Sequence, residues 1–304
     1  MKRTLVWTCA AILGLFMLPG FFSVWWNPAV DYRASSQEKN ADKGELMRVA
    51  GYSVLRLRGS PYERGYQHGF LFREEVRANV QGFLSYVYHE FPLGKYAAQA
   101  LLDYAYHCFL PFIPQSYREE MQGLADGAGL PLRDIHRVHA APDLFELRGI
   151  VGCASFAAFG RATPDGHLYH LRNLDWIFAA DVQRHPLLLV YPETGMVNIG
   201  YAGFLGVVSG MNQAGISLGQ IGAASRDWTL YGLPMPFLLR RVLEEAQTLE
   251  DAAKIIRTAP RTVGHTYVIA SGTPGAAISL ETTRHLCILF RDDREGALDY
   301  ALPV

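Results

Sequence analysis

The sequence is poor in cysteine. There are four in 304 residues, Cys9, Cys108, Cys153 and Cys287, and no two stand at the spacing of a zinc site. No metal and no organic cofactor is implied. An excess of either charge is also missing: 28 basic residues face 29 acidic ones, a formal net charge of -1. With no basic patch or tail, a nucleic-acid partner is not expected. Internal repeats and low-complexity segments are absent, which excludes solenoids and disordered linker proteins. Apolar residues are not scarce. Half the chain is hydrophobic and 12% is aromatic, enough to build a sizeable core.

One long uncharged run stands at the amino terminus. Lys2 and Arg3 precede apolar residues from Leu5 to Trp26, and the next charge is Asp31. About 20 apolar residues span a bilayer as a helix, and a basic start faces the cytoplasm. Residues 1–30 are therefore expected to be a signal anchor or a cleaved signal peptide, with the remainder exported or membrane-anchored outside the cytoplasm. Residues 31–48 are polar and read as a linker. In an oxidising compartment Cys108 and Cys287 are either paired or two buried free thiols.

From residue 49 the pattern is globular. A first strand is expected at 49–58, ended by Gly59-Ser60-Pro61. Helices are expected at 63–91 and 95–110. Another should open with a capping box at Ser116 and Glu119 and end at Gly127 and Gly129, and a short one should cover 132–139. Residues 49–152 thus form a mostly helical region. From Cys153 onward, short β-rich runs appear at 153–159, 167–172, 187–191, 196–201, 204–209 and 215–221. Two helices follow at 236–246 and 249–258, the second opened by Thr248 and Asp251. Strands return at 266–271, 276–281 and 285–290. This is an α+β order rather than a βαβ alternation.

The chemistry gathers around Gly152-Cys153-Ala154-Ser155-Phe156, Asp165-Gly166 and Arg172-Asn173-Leu174-Asp175-Trp176. Asp-Gly between two β-runs predicts a hairpin, which returns Arg172 and Asp175 towards Cys153. An arginine beside a thiol favours the thiolate.

In this order the residues resemble the start of the mature chain in cysteine N-terminal-nucleophile hydrolases. These include the choloylglycine hydrolase and acid ceramidase groups and the acyl-coenzyme A:6-aminopenicillanic acid acyltransferase (peptidase C45) family. GSPYERGYQHG at 59–69, MQGLADGAGLPLRDI at 121–135, GVVSGMNQAGISLGQ at 206–220, GLPMPFLLRRVLEEAQTLEDAAKII at 232–256 and HTYVIASGTPGAAISLE at 265–281 resemble the peptidase C45 segments, in family order.

The resemblance implies a four-layer αββα sandwich, with 49–152 as a pro-region and 153–304 as the nucleophile-bearing core. It implies a cut between Gly152 and Cys153. The freed α-amine, with an ordinary pKa near 8, then serves as base for its own thiol. Cys153 is the expected nucleophile, Asp175 the residue that holds the α-amine and Arg172 the residue that steers the thiol or the carbonyl. Asn173 and Asn212 are support positions. The family's oxyanion asparagine is not found at 264–268, which leaves Gln220, His265 and Thr266 as candidates. The chain is also expected to lack the strand and helix with which family members continue.

The activity implied is hydrolysis, or acyl transfer, of a linear non-peptide amide on a small-molecule or lipid-like substrate. The rival is a catalytically inactive, membrane-tethered ligand-binding homologue. A classical Cys-His pair through His167 or His170 is a third reading.

Overall fold

The computed structural model describes residues 43–147, 152–175, 178–291 and 298–301. The apolar run at 1–30, the linker as far as Ala41-Asp42 and the carboxyl-terminal residues 302–304 lie outside the described residues. Among the described residues no helix is long and apolar enough to cross a membrane.

Strands β1 (Glu45–Val49) and β2 (Tyr52–Arg56) form a hairpin through Ala50 and Gly51, both at positive φ. The linker expected to reach residue 48 therefore ends earlier, in strand. Five helices follow: α1 (Pro61–Leu71), α2 (Arg73–Glu90), α3 (Gly94–Phe109), α4 (Gln115–Ala128) and α5 (Leu132–Glu146). The single helix expected at 63–91 is two, broken at Phe72, whose φ of -126° is not helical. The capping box sits at Ser60 and Glu63 rather than at Ser116. Helix α4 instead starts after Pro114 with no side-chain cap, and it ends at Gly129 in the left-handed conformation.

The hairpin β3 (Gly152–Ala158) and β4 (Tyr169–Asp175) comes next, then β5 (Pro186–Tyr191), β6 (Met196–Tyr201), β7 (Ser209–Asn212) and β8 (Ile216–Gly222). Helix α6 (Met235–Glu245) and helix α7 (Leu249–Thr258) precede β9 (His265–Ser271), β10 (Ala276–Thr282), β11 (Cys287–Arg291) and β12 (Leu298–Ala301). Thr248 and Asp251 do form a capping box at α7. Residues 204–209, expected as strand, are mostly loop, and the strand begins at Ser209.

Ten strands make one sheet in the order β1-β2-β5-β6-β7-β8-β9-β10-β11-β12, while β3 and β4 pair only with each other. Strand β2 pairs parallel with β5, so the region before Cys153 supplies two strands of the main sheet as well as helices. The helices cover the face that presents Tyr191, Asn198 and Gly210: Tyr191 donates to Glu120 of α4, and Leu243 of α6 lies against Gly210. The hairpin lies on the opposite face, where Arg172 and Ser155 press on Gly219 and His170 bonds Ser217. The described layers are therefore helices, sheet and hairpin. The mixed α and β content is as expected. The outer helical layer of a four-layer sandwich is not among the described residues, and Phe156 and Leu171 on the hairpin's outer face are exposed.

A buried charge cluster ties the helices to the sheet. Arg240 of α6 and Glu120 of α4 are both fully buried and 2.6 Å apart. Glu120 also accepts from Tyr191, and the Arg240 guanidinium lies over the rings of Tyr117 and Tyr191. Removing Arg240 leaves Glu120 with only the more distant Arg64, 3.6 Å away, in a medium that solvates charge poorly. Arg240→Met is expected to cost about 3–5 kcal/mol, read as a lowered urea midpoint with an unchanged slope.

Candidate active site and its relatives

The hairpin register decides which side chains meet. Gly152 pairs with Asp175, Cys153 with Leu174 and Ser155 with Arg172. Side chains alternate between faces. Cys153, Ser155, His170, Arg172 and Leu174 are half-buried and point to the main sheet. Gly152, Asn173 and Asp175 are exposed on the outer face. Arg172 Nη2 donates to Cys153 Sγ at 3.3 Å. Its Nε and Nη2 also donate to the Gln220 carbonyl at 3.2 and 3.0 Å. The registered pairing of β7 with β8 runs from Ser209–Gly219 to Met211–Ser217; beyond it the Gln220 N–H still donates to Val208 O, and Arg172 takes the Gln220 carbonyl.

Asp175 lies on the other side of the hairpin from the sulfur. Its Oδ1 accepts from Asn173 Nδ2 at 2.8 Å, and its carboxylate sits beside the Gly152 Cα. It thus flanks the Gly152–Cys153 bond, while only its backbone N–H is directed at the thiol.

The expected lowering of the thiol pKa is not what the intact chain shows. Burial pushes the Cys153 thiol up. The Arg172 charge and the backbone N–H groups of Asp175 and Gly222 act against burial without cancelling it. Arg172→Gln removes the largest favourable contribution. It is expected to slow alkylation of Cys153 by iodoacetamide about tenfold at pH 8, measured against Cys108 and Cys287, both buried and free.

The candidates for oxyanion donor separate clearly. Gln220 is almost fully buried. Its Nε2 lies 3.0 Å from His265 Nδ1 and 3.4 Å from Glu146 Oε1, and its Oε1 accepts from Arg172 at 3.3 Å. Both amide hydrogens are thus engaged. The contact gives His265 an accepting Nδ1, and burial holds its pKa at about 3, so it is neutral. Thr266 pairs with Ile221 on the hairpin side of β9. Asn212 donates to Leu243 O and Ala246 O and accepts from Ala214 N and Ile216 N. Its hydrogen bonds end α6 and shape the turn before β8, away from the cysteine.

His170 bonds Ser155 and Ser217. It pairs with Ala157, four residues along the strand from Cys153, roughly 13 Å at strand rise. This geometry weighs against a Cys-His pair through His170.

Two neighbours of the thiol were not foreseen. Tyr201 of β6 faces Cys153 and Arg172. Glu146, at the end of α5, is 5% exposed, and its carboxyl packs on the Gly222 Cα. Burial raises its pKa to about 7, with Asp143 adding to the rise and Gln220 and Arg172 opposing it. The one sequence signal was an acidic residue between apolar ones, Leu144-Phe145-Glu146-Leu147, just before Cys153.

An apolar cleft adjoins this cluster. It is lined by Phe83, Val138, Leu174, Tyr201, Phe204 and Gln220 among others, and its empty space is about 630 Å³ including the part open to solvent. Among the described residues no group of three or more His, Cys, Asp and Glu is placed to hold a metal ion.

Residues 161–298 match the profile of the acyl-coenzyme A:6-aminopenicillanic acid acyl-transferase family. The protein dcd1B of Dictyostelium discoideum is 28% identical over 83% of this chain and 54% of its own length. Rat acid ceramidase is 24% identical over 80% of this chain and 66% of its own. The mouse N-acylethanolamine-hydrolyzing acid amidase is 23% identical over 57% of this chain and 49% of its own. The chain spans about half the length of the curated relatives it matches. From residue 161 to residue 298, a stretch that includes the second strand of the hairpin, the chain is similar in sequence to the acyl-coenzyme A:6-aminopenicillanic acid acyl-transferase family.

Proposed function

We propose that the protein is a cysteine N-terminal-nucleophile amidohydrolase, or acyltransferase, that cuts itself between Gly152 and Cys153 and then opens a linear amide through a thioester on Cys153. The observation that carries this reading is the placement of Arg172 Nη2 3.3 Å from Cys153 Sγ, on the strand that pairs Gly152 with Asp175. After the cut, the new α-amine lies beside the Asp175 carboxylate, which Asn173 orients. The amine takes the thiol proton, and the sulfur attacks the amide carbonyl. The amine product leaves with that proton, and water or a second amine takes the acyl group.

The apolar cleft favours an amide with an apolar acyl chain. The relatives named as an acid ceramidase and an N-acylethanolamine-hydrolyzing amidase support a lipid-like substrate. The uncharged run at 5–26 behind Lys2 and Arg3 supports export or anchoring of this domain outside the cytoplasm.

The inactive binding homologue is favoured by one observation, the raised thiol pKa in the intact chain. Intact mass and amino-terminal sequencing of wild type beside Cys153→Ala separate the two readings. A wild-type fragment that begins at Cys153 supports the enzyme, and a folded, uncut wild type supports the binding protein.

A further inference from the structure

The intact chain poses a problem that the mature enzyme does not. Before the cut, the nitrogen of Cys153 is an amide nitrogen and cannot act as a base. The thiol proton must go elsewhere. Asp175 does not face the sulfur, because strand alternation puts its carboxylate on the outer face of the hairpin with Asn173. Burial holds the His265 pKa at about 3, too weak a base to take a thiol proton, and its accepting Nδ1 already faces Gln220. Arg172 offers the sulfur a donor, not a base, and the Gln220 amide has no basic group.

One carboxyl remains. Glu146 of α5 and the Cys153 thiol approach the same residue, Gly222: the carboxyl lies against its Cα and the sulfur meets its N–H. A side chain on Gly222 would fill the space that the carboxyl occupies. Gln220 links Glu146, which it bonds through Nε2, to Arg172, which donates both to Gln220 Oε1 and to the sulfur. Among the described residues, the ionisable groups around Glu146 are Asp143 on its own helix, Cys153 on β3, Arg172 on β4 and His265 on β9 beyond Gln220.

We infer that Glu146 is the base for maturation, taking the Cys153 thiol proton so that the sulfur attacks the Gly152 carbonyl. This rests on the N-terminal-nucleophile reading and adds the group that starts the reaction. The thiol gives its proton to the Glu146 carboxylate as the C–S bond forms. The C–N bond then breaks, and the proton passes from Glu146 to the departing nitrogen of Cys153. Water hydrolyses the thioester, leaving a Gly152 carboxylate and the free Cys153 thiol. Glu146 ends as it began.

The carboxyl titrates near neutrality, at about 7. Self-cleavage is therefore expected to accelerate as pH rises through 7, as the carboxylate form fills.

The test uses the full chain, kept uncut by purification at low pH or as a reversible thiol disulfide, and then released. Cleavage is followed by intact mass from pH 5 to 8 for wild type, Glu146→Gln and Glu146→Asp, with thermal melting as the check on folding. Glu146→Gln is expected to slow cleavage about 100-fold or more and to lose the inflection near pH 7. Glu146→Asp, which keeps the carboxyl, should recover part of the rate and the inflection. Wild-type cleavage that is fastest below pH 5, or a folded Glu146→Gln with wild-type rate and profile, overturns the role of Glu146 and leaves the nucleophile reading standing. If the Gln and Asp variants are equally slow and both keep the wild-type inflection, the carboxyl is structural and the inference fails. A wild type that never cuts at any pH removes the nucleophile reading, and this inference with it.

Discussion

Cys153→Ala is expected to leave the chain uncut and to lower amide turnover by about 10⁴-fold or more, the loss seen when a covalent nucleophile is deleted. Two independent readouts should move together, because in the proposed mechanism one sulfur serves both reactions. Intact mass should show a single species where wild type shows two. Hydrolysis of an N-acyl amide with a long apolar chain should fall to background. The substitution itself is mild. Cys153 is only half-buried, and the backbone of its pair with Leu174 is unaffected, so folding should be preserved. Retained cleavage in Cys153→Ala would mean that a contaminating protease makes the cut. Retained turnover would move the chemistry away from the hairpin altogether. Arg172 offers the intermediate case: its loss weakens the thiolate but also frees the Gln220 carbonyl, so both reactions should slow without stopping.

Gly123→Ala is expected, with Gly65→Ala, to be among the most destabilising single methyl groups that can be added to the described helices. Helices α1 and α4 meet along Gly65 and Gly69 on one side and Gly123 and Gly127 on the other. A Cβ at Gly123 would overlap the Tyr62 carbonyl oxygen, and one at Gly65 would overlap that of Glu120. These atoms are helical backbone, which cannot swing aside as a side chain tip can. The helices must separate, and the apolar contacts along their length are lost with them. Such overpacking should cost about 4 kcal/mol or more. It would also pull Glu120 from Arg240, since α4 carries that carboxylate. The control is Gly82→Ala in α2, where the nearest atom to a new Cβ is Ala180 O at 3.9 Å. There the better helix propensity of alanine should stabilise by about 0.5–1 kcal/mol. Urea midpoints for the two variants should therefore move in opposite directions. Two equal small losses would mean that the α1–α4 contact is looser than the structure shows.

The same glycines show how sequence and structure divided the explanation. GSPYERGYQHG and MQGLADGAG stand out in the sequence as motifs, but nothing local says that they touch. Only the tertiary structure shows that the four-residue spacing on α1 matches the four-residue spacing on α4, so that each helix fits the groove of the other. The break at Phe72 was likewise illegible, because the apolar pattern runs through it without a Gly or Pro.

The hairpin was legible in advance. Asp165-Gly166 marks a turn and β-rich runs flank it, but residues 159–168 separate the two strands, and the arithmetic of a period of two puts Cys153 and Arg172 on one face only once the register in the structure is known. The same arithmetic puts Asp175 on the other face, beside Gly152.

Burial and long-range partners were not legible. Composition and motif order bounded the fold to α+β, marked Cys153 as the candidate nucleophile and gave no sign of a nucleic-acid surface. The raised thiol pKa depends on how much water the sheet and helices remove from Cys153, a property of packing from distant segments. The donors of Gln220 were spent on His265 and Glu146, which lie 45 and 74 residues away in sequence. Local pattern determines which face a side chain takes. What waits on that face is decided by contacts between segments far apart in the chain, and those exist only once the sheet has closed over the helices.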